Sequence, residues 1–435
     1  MRIVQLANMY HLRSGGLRTV VDTLGRGYAA AGHDRVLIVP GAKRSVTEDG
    51  HGTVITVPGT PVTGGYRMIL RTEKVLETLA ALNPDSIEVS DKATLAGAGP
   101  WARERGVRAV LFSHERLGEM VANRTGAQSE SLQKAVLRWT RRVVAGFDEV
   151  VATSAFGERE LALAGARNIR RVPLGVDLEV FRPPVERDRI LRGTVEKDTA
   201  GRDTAERDTA ERDSAEPRAG GAGSAGSDLA NSTSPDVVRL VYAGRLSNEK
   251  NPQAAVEAIR VLRCWGVDAR LDVYGSGPQC GALVRRGKGL PVVFHGHVAR
   301  RADLAERLTG ADLVLAPSAC ETFGLSALEA LACGVAVVAA AGSGAAELVS
   351  QAPPPECRNA VHGGRTMPGA APPGAGIAVT PTGTGLATGV LELLTYPASV
   401  RAAAARTRAS QFPWSASVER MLAIHQGALM AADAA

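Results

Sequence analysis

Aromatic residues are scarce in this chain: Phe, Trp and Tyr together make up 4% of its 435 residues. A surface that reads single-stranded nucleic acid by stacking needs aromatics interleaved with basic side chains. No such patch occurs, so no nucleic-acid partner is expected. Cysteine is rarer still, with five residues. Cys264, Cys280, Cys320, Cys333 and Cys357 form no Cys-x-x-Cys pair, and no histidine spacing completes a zinc site. They read as reduced thiols of a cytosolic protein. No apolar run reaches the ~18 residues needed to span a bilayer, and the opening Met1-Arg-Ile-Val-Gln-Leu-Ala lacks the long apolar core of a signal peptide. The expectation is a cytoplasmic protein whose membrane contact, if it has one, is peripheral at the inner face. Asp-x-Asp is missing throughout, which argues against sugar-transfer architectures built on a divalent cation. Gly-x-Gly-x-x-Gly is missing too: Gly275-Ser-Gly277-Pro lacks the third glycine, which weakens a dinucleotide oxidoreductase reading.

What the chain does have is the composition of an ordinary soluble enzyme, 45% hydrophobic and 22% charged. Its length exceeds what one compact core accommodates, so two domains are expected. The net charge is +6, and residues 1–184 hold 25 Lys and Arg against 19 Asp and Glu, the whole of that excess. A basic N-terminal half suits an anionic partner such as a phosphorylated ligand or a lipid surface.

Short apolar runs alternate with helical stretches from the start. Arg2–Ala7 reads as a strand, Leu17–Ala31 as a helix closed by Gly32, and Arg35–Val39 as a second strand; Val107–Phe112 and Glu149–Ala152 follow. Such alternation implies a parallel sheet covered on both faces. The first domain is expected over 1–184. Over 196–215 a five-residue unit recurs as EKDTA, GRDTA, ERDTA and ERDSA. With almost no large apolar residues it cannot offset its ordering entropy, so 185–235 reads as a disordered interdomain linker, a charged helical arm being the alternative. Alternation restarts at Val237–Ala243 and continues through a helix at Gln253–Cys264 and strands at Ala269–Tyr274, Val292–His295, Leu313–Ala316 and Ala336–Ala339. A second α/β domain is expected over 236–411, with Gln351–Gly376 as a surface loop. A final helix near Ser415–Met430, in a segment of about 412–435, closes the chain.

The strongest chemical signal is the string from Pro317 to Gly334, in which Glu321 and Glu329 flank Thr322-Phe-Gly-Leu. A buried strand ends at Ala316 and a helix starts near Gly324. The amides of Phe323, Gly324 and Leu325 would then point out of a helix N-terminus, where they and the helix dipole suit a diphosphate. The two carboxylates suit sugar or ribose hydroxyls. After the strand ending at Ala243, Gly244 permits a sharp turn and Arg245 and Lys250 can converge on one anion; paired cations would meet the charge that develops on a leaving diphosphate. In the first domain, Gly15-Gly16 joins strand to helix and allows close approach of a phosphate or sugar. His114 follows a strand whose carboxyl end faces the ligand crevice, where it can bond sugar hydroxyls or shuttle a proton. Ser131–Phe147 reads as an amphipathic helix with Lys134, Arg138, Arg141 and Arg142 on one face. That face suits anionic lipid, or is simply solvated.

The Glu321-x7-Glu329 string, Gly244-Arg245-Leu-x-x-Glu-Lys250, Gly15-Gly16, Val172-Pro-Leu-Gly-Val-Asp177 and Phe412-Pro-Trp-Ser resemble the retaining glycosyltransferases of family four. The N-terminal strings Arg13-Ser-Gly-Gly-Leu-Arg-Thr, Ile38-Val-Pro-Gly, Thr63-Gly-Gly-Tyr, Glu88-Val-Ser-Asp and Ser113-His-Glu-Arg-Leu resemble its GDP-mannose-dependent actinobacterial members that mannosylate phosphoinositide lipids. The resemblance implies a GT-B fold, an α/β arrangement of two Rossmann-like domains facing across a cleft, and a GDP-mannose donor with no metal cofactor. The implied acceptor is a lipid or glycan, a mannosylated phosphoinositide-type lipid above all. It implies that Arg245 and Lys250 bind the diphosphate, that Glu321 holds hexose hydroxyls and Glu329 the ribose, and that Gly244, Val298, Phe323, Gly324 and Leu325 also contact the donor. Gly15 and Gly16 would approach the phosphate and His114 the sugar near the reacting carbon. Tyr10 and Arg13 would lie toward the acceptor. Retention would proceed without a protein nucleophile, and the last helix would cross back to brace the first domain. Another sugar nucleotide with a soluble acceptor, a sugar-nucleotide epimerase or hydrolase of the same architecture, and a non-catalytic sugar-nucleotide binder remain open at this point.

Overall fold

A computed structural model of the chain describes residues 1–11, 15–62, 66–116, 118, 130–183, 237–350 and 372–428. Arg13, Cys357, the whole of 185–235 and most of the 351–376 stretch lie outside the described residues, as does the end of the closing segment.

Sixteen strands are described, most of them in two large sheets. β1 (Arg2–Leu6), β2 (Asp34–Gly41), β3 (Ser45–Asp49), β4 (Gly52–Pro58), β7 (Ser86–Val89), β8 (Arg108–Ser113), β9 (Glu149–Ala152) and β10 (Ile169–Arg171) form the first sheet, in the order β10-β9-β8-β7-β1-β2-β4-β3. β5 (Thr60–Pro61) and β6 (Arg67–Met68) pair as a small ribbon beside it. The second sheet holds β11 (Val238–Ala243), β12 (Ala269–Tyr274), β13 (Val292–Gly296), β14 (Leu313–Ala316), β15 (Ala336–Ala340) and β16 (Gly376–Val379), in the order β13-β12-β11-β14-β15-β16. Every pairing in the second sheet is parallel. Its inner strands β14 and β15 are apolar throughout, as a sheet covered on both faces requires, and all five residues of β15 are buried. The expected alternation does not place β4, β7, β10 or β16, nor the β5–β6 ribbon, and it misses β3 as well. β3 runs antiparallel to β4 because Gly50-His51 turns the chain straight back, and its exposed Ser-Val-Thr-Glu-Asp sequence carries no buried-strand pattern.

Strand order reverses twice, and both reversals matter for the site. In the first sheet β1 sits between β2 and β7; in the second, β11 sits between β12 and β14. The loops leaving the carboxyl ends on either side of such a reversal splay apart and open a crevice. The loop after β1 carries Gly15-Gly16, and His114 follows β8, the strand beside β7; in the second lobe the loops after β11 and β14 carry Arg245, Lys250 and Glu321.

The last described helix, Trp414–Gln426, returns to the first lobe. Its Ser417 hydroxyl donates to the Pro173 carbonyl at 2.7 Å. His425, fully buried, sits 2.8 Å from the Ser86 hydroxyl and 3.3 Å from the Glu88 carboxylate. Gly27 on helix Gly16–Ala30 makes the approach possible: a Cβ there would lie 2.4 Å from Val418 Cγ2. The largest apolar core accordingly joins Val20, Leu24, Tyr28 and Phe112 of the first lobe to Phe323, Leu328, Leu331 and Phe412 of the second part of the chain.

Candidate active site

The second lobe supplies a stapled pair of loops. After β11 the Tyr242 hydroxyl donates to the Arg245 carbonyl at 2.9 Å, fixing the turn at Gly244. Asn251 takes a left-handed conformation (φ 50°) at the start of helix Pro252–Cys264. Its side-chain amide donates to Pro317 O at 3.2 Å and Pro381 O at 2.9 Å, and Ser318 donates to Glu249 O at 2.7 Å. These bonds hold the loop after β11 against the loop after β14. The outcome is that Lys250 Nζ donates to Glu321 Oε2 at 2.6 Å. Burial alone would lower the Lys250 pKa, but the Glu321 carboxylate reverses this and raises it, so the ammonium stays charged. Arg245 is exposed at the crevice, its guanidinium 5.6 Å from the Tyr66 ring of the other lobe.

Helix Leu325–Ala332 begins one residue later than the sequence suggests, because Gly324 is its cap rather than its first residue. Gly324 has φ 99°, and a Cβ there would come within 2.8 Å of Ala345 Cβ, so the position excludes a side chain twice over. Phe323 anchors the turn: it is 2% exposed and meets Phe412 edge-on at 6.1 Å. The first amides of this helix have no intrahelical acceptor and face the crevice with the positive end of the dipole. Glu329 lies just over one turn into the helix and is buried, not the surface residue that a lone glutamate suggests. Burial raises its pKa, opposed by Arg301, whose Nη2 donates to Glu329 Oε1 at 2.8 Å. Val298 is half-buried between β13 and Arg301, packed against the shared core.

From the first lobe, helix Gly16–Ala30 points its own N-terminus at the same place. Gly15 is its cap, and a Cβ on Gly16 would lie 3.5 Å from Leu325 Cδ1. Two helix N-termini thus face each other across the crevice, with Lys250 and Arg245 belonging to the same rim. His114 stacks on Phe112 at 4.4 Å, and its Nε2 is 3.0 Å from the Ser90 hydroxyl. Burial lowers its pKa to about 4, the Lys92 ammonium helping and Glu88 opposing. It is therefore a neutral imidazole, suited to hydrogen bonding with a hydroxyl more than to proton shuttling at neutral pH. Tyr10 is committed elsewhere: its hydroxyl donates to Asp22 at 2.6 Å, and burial with that carboxylate pushes its pKa up to about 12.

The lobes meet beside the crevice through bonds that no motif announces. The Thr322 hydroxyl donates to His114 O at 2.6 Å, while Thr322 O accepts from Thr153 Oγ1 at 3.2 Å and from the Ser154 hydroxyl. Glu347 accepts the Ala155 and Phe156 amides at 3.0 and 2.7 Å, capping helix Ala155–Leu163 from across the lobes. Lys92 is buried against Ser113 Oγ at 3.0 Å and the Glu160 carboxylate at 3.8 Å. Arg301, Thr153, Ser154 and Glu347 are the residues that sequence reasoning overlooked; the loop after β13 offered only Val298 as a pointer.

The basic helix spans Glu130–Val144. Lys134, Arg138, Arg141 and Arg142 are all exposed, with Lys134 paired to Glu130 at 2.6 Å and Arg141 Nε donating to Ala164 O at 3.3 Å. Trp139, 41% exposed, donates its indole N–H to Lys92 O at 2.9 Å and so ties this helix to the crevice side of the first lobe. Among the described residues no helix is long and apolar enough to cross a membrane.

Comparison with known proteins agrees with this geometry. Residues 14–180 match the family model described as Glycosyltransferase Family 4, and residues 238–362 match the one described as Glycosyl transferases group 1. The chain is 38% identical over 359 residues to the GDP-mannose-dependent alpha-(1-6)-phosphatidylinositol dimannoside mannosyltransferase of Mycobacterium tuberculosis, covering 80% of this chain and 82% of that one. It is 29% identical to D-inositol 3-phosphate glycosyltransferase 1 of Catenulispora acidiphila, over 75% of this chain and 68% of that one. Among solved structures, sucrose-phosphate synthase from Thermosynechococcus elongatus superposes with a TM-score of 0.69 at 20% identity, covering 99% of both chains. The Anabaena HepE protein in complex with UDP and glucose does so with a TM-score of 0.63 at 17% identity, covering 98% of this chain and 99% of that one. The fold is the GT-B fold of these glycosyltransferases.

Proposed function

Because this chain belongs to glycosyltransferase family 4, we propose that it moves a mannosyl group from GDP-mannose, with retention, onto a mannosylated phosphoinositide-type lipid. The observation that carries the donor half is the 2.6 Å contact of Lys250 with Glu321, set between two opposed helix N-termini. A cation for the leaving diphosphate and a carboxylate for the hexose hydroxyls are held against each other before any ligand arrives. Arg245 adds a second cation at the rim, and the amides of Phe323, Gly324 and Leu325 add neutral donors. These groups stabilise negative charge as it builds on the departing phosphate, without calling on a divalent ion. Glu329 takes the ribose, Val298 and the Gly244 turn border the nucleotide, and Gly15 and Gly16 let the diphosphate approach the first lobe's backbone. Neutral His114 donates to or accepts from a mannose hydroxyl near C1.

In the transfer step the C1–O bond to the diphosphate breaks and the acceptor oxygen bonds C1 on the same face. The acceptor proton passes to the departing phosphate oxygen, so no protein nucleophile is required. The mannose and GDP assignments draw on the mycobacterial relative's name and the N-terminal strings. The lipid acceptor draws on that name and on the exposed basic face of Glu130–Val144, which would rest peripherally on an anionic leaflet. Purified protein is to be incubated with radiolabelled GDP-mannose, UDP-glucose or ADP-glucose and phosphoinositide-mannoside vesicles. Label entering lipid from GDP-mannose alone is the expected result. Transfer from another nucleotide, or release of free sugar without acceptor, would overturn the donor or the transferase assignment respectively.

A further inference from the structure

Arg301 is the first residue of helix Arg301–Thr309, three positions beyond Val298. Its guanidinium makes three contacts that no motif predicts. One nitrogen donates to Glu329 Oε1 at 2.8 Å, another to Thr19 Oγ1 at 3.2 Å, and the guanidinium carbon lies 4.8 Å from the centre of the fully buried Phe181 ring. Thr19 sits one turn into the first lobe's crevice helix, and Glu329 just over one turn into the second lobe's. The planar fork therefore joins the two helices whose N-termini face each other, which a lysine's point charge would not do in the same way.

We propose that Arg301 is a positioning residue that fixes the Glu329 carboxylate for the nucleotide's ribose and ties it to the opposite lobe. This deepens the nucleotide-sugar reading above and rests on it. A carboxylate as buried as Glu329 is costly unless paired, and unpaired it would take up a proton or swing away. Arg301 opposes the rise in pKa that burial causes and engages Oε1 at 2.8 Å. Among the described residues Oε2 has no hydrogen-bond donor, so it remains available to accept from ribose hydroxyls. Because the same guanidinium reaches Thr19, a carboxylate set for ribose is also one tied to the first lobe's crevice helix.

The test is calorimetric titration of the full chain with GDP, UDP and ADP, each against its 2′,3′-dideoxy counterpart. The wild type should prefer its ribonucleotide by about ten- to hundredfold, the range for hydrogen bonds to a charged group. Arg301→Met should bring that preference to within about twofold while leaving affinity for the dideoxy form nearly unchanged. Arg301→Lys should restore part of it, and Thr19→Val should lose less than Arg301→Met. If Arg301→Met does not fold, Arg301→Gln, neutral but still polar, replaces it with the same expectation. A neutral variant that keeps the wild-type preference would overturn the proposal, as a merely structural role predicts. So would tighter ribonucleotide binding in that variant, which would mean that Arg301 competes with the ribose. A wild type that binds none of the three nucleotides would instead overturn the nucleotide-sugar reading, and the proposal with it.

Discussion

Lys250 and Glu321 lie 71 positions apart in the sequence and 2.6 Å apart in space. Each charge is partly screened by the other, so removing either changes how its partner can meet a ligand. In the proposed reaction Lys250→Met would remove leaving-group stabilisation, and Glu321→Gln would remove a hydrogen-bond acceptor for hexose hydroxyls while freeing the ammonium. Both should lower kcat/KM by about 10²- to 10³-fold, the scale of losing one preorganised charge-stabilising group. The pair is only part-buried, so melting temperatures should stay close to wild type; transfer assays beside thermal melts of the two variants check this. His114 gives a prediction of another kind. With its pKa lowered to about 4 by burial, it stays neutral where an ordinary histidine would charge. The pH profile of kcat/KM should show no His114 inflection near 6.5. Stability should behave differently: between pH 6.5 and 4 the unfolded chain binds a proton that the folded chain refuses, so the melting temperature falls on acidification. His114→Asn should reduce that fall. An inflection near 6.5 that disappears in His114→Asn would show the imidazole to be a titrating catalytic group instead.

These residues were legible because their chemistry is local in sequence. A strand end, a glycine turn and a helix N-terminus occupy consecutive positions from Ala316 to Glu329, so the string almost draws its own geometry. Arg301 and Glu347 were illegible for the opposite reason. Arg301 gains its meaning from Glu329, 28 residues on, and Thr19, 282 residues back. Glu347 gains its meaning from two amides 191 and 192 residues away.

At the scale of elements, apolar runs located β1, β2, β8 and β9 of the first sheet and β11 to β15 of the second, because parallel strands buried on both faces carry hydrophobic runs; β4, β7, β10 and β16 were not placed. The β3–β4 hairpin escaped because one of its strands is exposed over most of its length. The amphipathic helix was visible in outline, and the structure now divides its charges. Arg141 bonds the Ala164 carbonyl, so it has a structural task, whereas Lys134, Arg138 and Arg142 present their charge to solvent or to a neighbouring glutamate. Replacing those three with Gln should weaken binding to anionic vesicles by roughly two orders of magnitude at low salt, taking on the order of 1 kcal/mol for each basic residue near a leaflet. Binding of soluble nucleotide should not change. Vesicle sedimentation and nucleotide titration on the same triple variant separate the two. Equal vesicle binding by variant and wild type would remove the membrane role from this helix.

The whole molecule adds what neither lobe contains, a crevice between them. Among the described residues the side-chain bonds that join its two sides include Thr322 with His114, Thr153 and Ser154, Arg301 with Thr19, and Glu347 on the N-terminus of helix Ala155–Leu163. Glu347 stands out because it belongs to one lobe and satisfies orphan amides of the other, which a capping side chain usually does within its own chain segment. If the lobes separate, those amides and the carboxylate pass to water, so the bond stabilises the closed arrangement relative to the open one rather than either lobe by itself. Losing a cap costs about 0.5–2 kcal/mol, which corresponds to a roughly 2- to 30-fold shift of the closed-to-open ratio. Glu347→Ala should therefore enlarge the ligand-free molecule in small-angle scattering and lower kcat/KM by a comparable factor. On the proposed donor site, where the diphosphate would bridge both helix N-termini, the nucleotide-saturated variant should return toward wild-type dimensions. Unchanged scattering together with an unchanged rate would mean that the C-terminal helix and the shared core hold the lobes together, with the crevice bonds following passively.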